Sequence, residues 1–206
     1  MARTRSPDYD NIQAFIIERT ASLFAQRGYA ATSIGDIATA CECSKSRLYH
    51  YFESKESILS LMLTEHVDKL LEECRKTLEQ YQDPIERFHK LIRFFMEVYA
   101  VSGDKHVVLL TSLEFLPEDK RKEVVRKQRE LIAYVQDILV HIRPDIGRDK
   151  ATAHVDTMLF FGMINWTYTW YKSGGVITPD ELADRVVAIF LGGYRNLHTA
   201  AVAVGA

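Results

Sequence analysis

Apolar residues recur at three- and four-residue intervals along almost the whole chain, and strand-like alternation is nearly absent. From Asn11, a stripe of Ile12, Phe15, Ile16, Ala21, Leu23 and Phe24 predicts a helix ending near Gly28, where glycine tolerates a left-handed C′ conformation. Thr32-Ser33 offers a hydroxyl N-cap, with Asp36 three residues beyond Ser33, and Ile34, Ile37, Ala38 and Cys41 form one face of a short helix. Ser44 is a second cap, opening another short helix through Leu48 to His50. Past Phe52 the elements lengthen. Ser54 or Ser57 caps a helix carrying Ile58, Leu61, Met62, Val67, Leu70, Leu71 and Cys74, and Asp83-Pro84 starts another that runs to Ser102-Gly103. His106–Phe115 reads as a short buried helix stopped by Leu116-Pro117, followed by a long amphipathic one from Glu118 to about Ile142. Lys150–Lys172 reads as an aromatic helix ended by Ser173-Gly174-Gly175. Thr178-Pro179-Asp180-Glu181 opens a last one reaching Leu197.

The pattern predicts an all-α chain of about nine helices: an N-terminal three-helix module over residues 1–53, then a larger helical bundle over 54–206. With 206 residues and 47% apolar content, the chain can build a real core. A net charge of −2 excludes a histone-like or polybasic protein, so any nucleic-acid contact must be local. Three cysteines do not describe a disulfide framework. The polar start, MARTRSPDYDN, lacks the apolar region of a secretory signal, and no apolar run is long enough to span a bilayer. A cytoplasmic location without membrane contact is the expectation.

The two short helices joined by a turn at Cys41–Cys43 form a helix-turn-helix, whose second helix would enter a major groove. Its exposed face would be Ser44, Lys45, Ser46, Arg47, Tyr49 and His50, with Leu48 and Phe52 turned inward. Lys45 and Arg47 can donate to guanine O6 and N7, and Ser46 can donate or accept. Tyr49, Tyr51 and Lys55 are positioned for phosphates, as are the hydroxyl and free amides at Ser33. A bland reading competes. Polar-faced short helices are common, and residues 1–50 carry six Lys/Arg against five Asp/Glu.

Phe24, Gly28, Tyr29, Thr32-Ser33, Ile37-Ala38, Ser44-Lys45, Leu48-Tyr49-His50-Tyr51-Phe52 and Ser54-Lys55-Glu56 together resemble the signature of TetR-family transcriptional regulators. The resemblance implies a homodimer on a palindromic DNA operator, with the remaining chain forming the ligand-binding and dimerisation domain. One position departs from the family pattern: Glu42 stands where glycine is usual in the turn, at a cost on the order of 1 kcal/mol for a positive φ. Cys41 and Cys43 read as core fillers or, alternatively, as a thiol sensor; they lack neighbouring ligands for zinc.

In the aromatic segment, Met163, Trp166 and Trp170 fall on one side of a helix, and Phe160, Ile164, Thr167 and Tyr171 on another. These residues fit either a plain core with a dimer interface or a pocket that uses the polar edges of tryptophan and tyrosine. Val186, Ile189, Phe190, Gly193 and Leu197 of the last helix are the candidate dimer contacts. Lys120, Arg121, Lys122, Arg126, Lys127 and Arg129 form either a solvated face or cations at the mouth of an apolar tunnel. Asn165–Tyr171, Gly174-Gly175, Asp180–Ala183, Phe190–Gly193 and Phe115–Asp119 resemble regulators of this family that sense acyl-CoA thioesters. That resemblance implies a repressor released by a fatty or aryl thioester such as phenylacetyl-CoA. Phe115, Arg126, Arg129, Met163, Trp166, Trp170 and Tyr171 would be its ligand contacts. The alternatives are a sensor of another hydrophobic small molecule, as in drug efflux control, and a helical thioester-binding protein or enzyme without DNA binding. Neither a nucleophile elbow, a phosphate loop nor metal-spaced histidines occur, so no catalytic residue, metal or cofactor is expected.

Overall fold

A computed structural model describes residues 7–144 and 149–194, all of whose regular structure is helical. The nine α-helices are α1 Pro7–Arg27, α2 Ile34–Ala40, α3 Lys45–Tyr51, α4 Lys55–Gln80, α5 Pro84–Val101, α6 Gly103–Thr111, α7 Glu118–Ile142, α8 Lys150–Asn165 and α9 Pro179–Tyr194. They divide into two compact units. The first holds the chain up to Lys69 together with Ser102–Lys127, and the second holds Leu70–Val101 and the residues from Gln128 onward.

In the first unit, Pro7 opens α1 with its fixed φ, and Asp8 and Asp10 place negative charge in the first turn. The helix therefore starts one turn ahead of the apolar stripe, which begins only at Ile12. It ends at Gly28, whose φ is +83° and whose amide donates to the Phe24 carbonyl at 2.9 Å. Ile16, Ile17, Ala21 and Phe24 are buried along its inner face. On α6, Asp104 accepts from the Ser22 hydroxyl, and Lys105 pairs with Glu18. The sequence pattern places this sixth helix at His106–Phe115, but it spans Gly103–Thr111. Leu113–Phe115 form a separate 3-10 turn after Ser112. Beneath α6, His66 Nε2 lies 3.4 Å from His106 Nδ1. Burial first, and then the charge of its partner, pushes His66 down to about 3, so it is neutral near pH 7.

The second unit is built on α5 against α9. Phe88 of α5 has its ring 5.1 Å from Phe160 and 5.7 Å from Phe190, and Arg93 binds Asp184 at 3.0 Å. Asp83 caps α5 through the Glu86 amide, while the Arg87 guanidinium donates to the carbonyls of Leu78 and Tyr81 at the end of α4. Thr178 and Glu181 form a reciprocal capping box at the start of α9, with Pro179 at the first helical position. α8 is shorter than its periodicity suggests, stopping at Asn165 where the aromatic helix was expected to continue to Lys172. Thr167 donates its hydroxyl to the Ile164 carbonyl at 2.6 Å, and Thr169 to Trp166 at 2.8 Å. Those bonds, with β-branched and aromatic residues in succession, turn Trp166–Thr169 into a 3-10 segment.

Candidate functional site

The geometry of the helix-turn-helix is set by its caps. Ser33 accepts from the Asp36 amide at 3.2 Å while Asp36 accepts from the Ser33 amide at 2.8 Å, a closed capping box. The Ser33 hydroxyl and amide hold the exposed Asp36 carboxyl below its usual range. At the other end of α2, the Cys43 amide donates to the Ala38 carbonyl (2.9 Å) and the Glu42 amide to Thr39 (3.1 Å). These two bonds make a Schellman motif in which Glu42 occupies C′. Its φ of +52° is the only positive value at a non-glycine among the described residues, as the turn sequence predicts. Ser44 then caps α3, accepting from the Arg47 amide at 3.1 Å.

With both ends of the turn fixed, α3 buries Leu48 and leaves Lys45, Ser46, Arg47, Tyr49 and His50 exposed, together with its cap Ser44. A β-carbon added at Gly35 would sit 3.2 Å from Lys45 Cε and 3.4 Å from Ser33 Oγ, so both side chains converge over this glycine. A small cavity of about 120 Å³ beneath the helix is lined by Ile12, Phe15, Ile16, Cys41, Cys43, Arg47 and Tyr51. Burial pushes the Cys41 thiol up to about 11, so it is protonated and unreactive near neutrality, in keeping with a core filler.

Two of the expected phosphate contacts have other duties. Lys55 donates to the Tyr29 and Thr32 carbonyls at 2.9 Å each, and its ammonium lies 4.0 Å from the centre of the Tyr29 ring. It therefore straps the loop after α1 to the start of α4 rather than reaching outward. Tyr29 in turn donates to Glu56 at 2.9 Å. Burial, then this carboxylate, raises the Tyr29 hydroxyl above its usual value. Tyr51 is half-buried, its ring 4.8 Å from that of Tyr9, whose hydroxyl donates to the Tyr51 carbonyl at 3.5 Å. Tyr9 and Gly35 are positioning residues that the motif did not single out. Local spacing gives no hint of Tyr9, which meets Tyr51 across 42 residues.

The expected ligand contacts do not form one set. Met163, Trp166 and Trp170 line a broad cleft of about 740 Å³ with His154, Val155, Met158, Leu159 and Gly162, all from α8 and the 3-10 segment after it. The cleft is a surface groove rather than an enclosed pocket: Leu159 is 65% exposed, Trp166 64% and Trp170 53%. Met163, Trp166 and Trp170 thus share one side, as their spacing predicts, although α8 ends at Asn165 before the two tryptophans. Tyr171 points its hydroxyl inward, where it is buried without a hydrogen-bond partner. Phe115 and Arg126 belong to the first unit. Phe115 stacks on Tyr29 at 4.7 Å, and both Arg126 and Arg129 are exposed. Several cations of α7 are paired: Lys127 with Asp68 (2.7 Å) and Glu123 (3.1 Å), Lys120 with Glu123, and Lys122 with Glu118. Of the expected dimer contacts, Val186 is buried within its own chain, and Phe190 packs 5.2 Å from Phe160. Ile189 is 69% exposed, Gly193 is exposed, and Leu197 lies outside the described residues.

Residues 16–62 match the family model of bacterial regulatory proteins of the tetR family, and residues 81–194 match the tetracyclin repressor-like C-terminal domain. A TetR-family transcriptional regulator from Bordetella parapertussis 12822 is 61% identical, with a TM-score of 0.87 over 93% of this chain and 100% of that one. The transcriptional repressor KstR2 of Mycobacterium tuberculosis is 25% identical over 185 residues, covering 86% of this chain and 90% of its own. AibR, solved with isovaleryl coenzyme A and operator DNA, shares the fold at a TM-score of 0.73, with 24% identity over 86% of this chain and 97% of its own.

Proposed function

The chain belongs to the TetR family of bacterial transcriptional regulators, and from that premise we propose that it is a ligand-released repressor acting as a homodimer on a palindromic operator. The observation that carries the DNA reading is the exposed polar face of α3, with Lys45, Ser46 and Arg47 at its open end and Leu48 as its buried anchor. A groove-entering helix needs this division: donors at the base edges and an apolar root holding it rigid. The relative KstR2 is itself named a repressor, which supports the same direction of control.

The effector we propose is an acyl-CoA thioester. Such a ligand offers an apolar acyl chain, suited to the side chains of Met163, Trp166 and Trp170. It also carries phosphates, suited to an exposed guanidinium group such as that of Arg129. AibR lends the fold of a regulator solved with isovaleryl coenzyme A; the choice of effector here rests on these side chains. A second reading, an uncharged or weakly polar lipophile, is favoured by the ion pairs that already engage Lys120, Lys122 and Lys127. As a regulator, the protein needs no catalytic group, and no resident cofactor is proposed.

The test uses a duplex that the protein itself selects from a random-sequence pool, followed by fluorescence anisotropy. Arg47→Ala should weaken binding by about 1–3 kcal/mol with sedimentation unchanged; unaltered affinity would remove α3 from the groove. Isovaleryl-CoA or phenylacetyl-CoA should release the duplex where the free acids do not, and equal potency of the acids would favour the lipophile reading. Trp166→Ala should abolish release while DNA binding and dimerisation persist. Conversion of that variant to a monomer would assign Trp166 to the subunit interface instead.

A further inference from the structure

We propose that Gly35 assigns Lys45 to the DNA backbone. The missing side chain leaves a notch for the lysine stem, so the ammonium grips a phosphate and reads no base. This assignment deepens the DNA-binding reading above and stands on it. By sequence, Lys45 and Arg47 have the same work, since either can donate to guanine. Their surroundings separate them. A β-carbon at Gly35 would meet Lys45 Cε at 3.2 Å and Lys45 Nζ at 3.5 Å, so the stem runs across the first turn of α2 and ends there. Arg47, two residues on and therefore on another side of α3, lines the cavity beside Cys41 and Cys43 instead.

The place of the ammonium on the duplex follows. In a helix-turn-helix the second helix lies in the major groove while the first crosses the sugar-phosphate backbone. A cation laid over the opening of α2 is therefore on the backbone side. Lysine suits that duty, because its ammonium is a compact point charge with three rotatable donors. The planar fork of arginine is the better fit to a base edge.

The groups around Lys45 leave this contact to it. Ser33, expected at a phosphate, gives its hydroxyl to Asp36 at 2.5 Å and its amide to the same carboxylate at 2.8 Å. Lys55, expected there too, is held by the Tyr29 and Thr32 carbonyls. Lys45 is exposed, and among the described residues its ammonium has no hydrogen-bond or ion-pair partner. Asp36 sets a negative charge beside Ser33, in the same corner. A phosphate arriving here meets that acid, and the charge of Lys45 is what makes the corner attractive to it.

The experiment compares wild type with Lys45→Ala, Gly35→Ala, the double variant and Arg47→Ala on the duplex selected by the wild-type protein. Each is measured across a salt series and across duplexes carrying single base-pair changes. Lys45→Ala should weaken every duplex by one common factor and make the log K versus log salt slope shallower by about 0.9. Arg47→Ala should instead lose about tenfold or more of its discrimination at one base pair. Gly35→Ala should reproduce the uniform weakening, and the double variant should bind no more weakly than Lys45→Ala. The thermal midpoint of Gly35→Ala should not fall: alanine suits a helix better than glycine, and the atom it presses, Lys45 Cε, belongs to a flexible side chain. Altered discrimination at one base pair in Lys45→Ala would make Lys45 a base reader and overturn the assignment. A lowered midpoint in Gly35→Ala, or undiminished affinity beside a weakened Lys45→Ala, would remove the notch. Undiminished affinity and slope in Lys45→Ala, with Arg47→Ala weakened, would take Lys45 off the DNA and leave the DNA reading intact. Selection of no duplex by wild type would sink the DNA reading itself.

Discussion

α3 and α8 both present one long face outward, yet they do so with opposite chemistry. On α3 the polar residues are exposed and Leu48 is the single fully buried anchor. α8 buries Phe160, Phe161 and Ile164 and still leaves Val155, Met158 and Leu159 uncovered, with Trp166 following at its end. Scattered exposed apolar residues are ordinary, but a contiguous row rimmed by polar groups marks a surface that another molecule covers. The contrast teaches that α3 is complete within its own chain and waits for a hydrated polyanion. The outer face of α8 is apolar and left uncovered by its own chain.

Removing the anchor should have the largest effect. Leu48→Ala should cost about 3 kcal/mol of stability in the helix-turn-helix unit, read as a lower denaturant midpoint at unchanged slope. A loss below about 1 kcal/mol would mean that α3 is held by its caps rather than by burial. Next comes the turn. Glu42→Gly relieves the left-handed strain in the Schellman motif and should add about 1 kcal/mol, visible as a higher thermal midpoint; a destabilised variant would show that the Glu42 side chain supplies a compensating contact. The smallest stability effect should come from α8. Leu159→Gln should change stability by less than about 0.5 kcal/mol, while release of the duplex by isovaleryl-CoA or phenylacetyl-CoA needs more ligand. Unchanged release would detach this face from the proposed effector site.

How far the sequence could be read follows from how local each signal is. The caps at Ser33, Ser44, Asp83 and Thr178 bond within three residues of themselves, and each is visible in the chain as a hydroxyl or carboxylate at the right offset. The strain at Glu42 was legible for the same reason. By contrast, Lys55 looks like a phosphate ligand until the chain brings Tyr29 and Thr32 back to it across 26 and 23 residues. Lys127 looks like a free surface cation until Asp68 arrives from 59 residues away. The end of α8 lies between these cases. Its apolar period continues past Asn165, but the Thr167 and Thr169 hydroxyls compete for the backbone, a local effect that periodicity does not weigh. The row of Val155, Met158, Leu159 and Gly162 recurs at helical spacing, but its exposure depends on which elements pack against α8, and spacing does not carry that.

The cysteines have a practical consequence. Cys41 lies in the first unit and Cys74 in the second; both are buried, and burial pushes their thiols up to about 11 and about 12. Neither can be alkylated at appreciable speed until its surroundings open, so their labelling rates clock the breathing of each half separately. Cys43, half-exposed beside the turn, marks the unprotected limit on the same mass spectrum. The chain thus carries its own pair of stopwatches and a calibration point, with no engineered probe required.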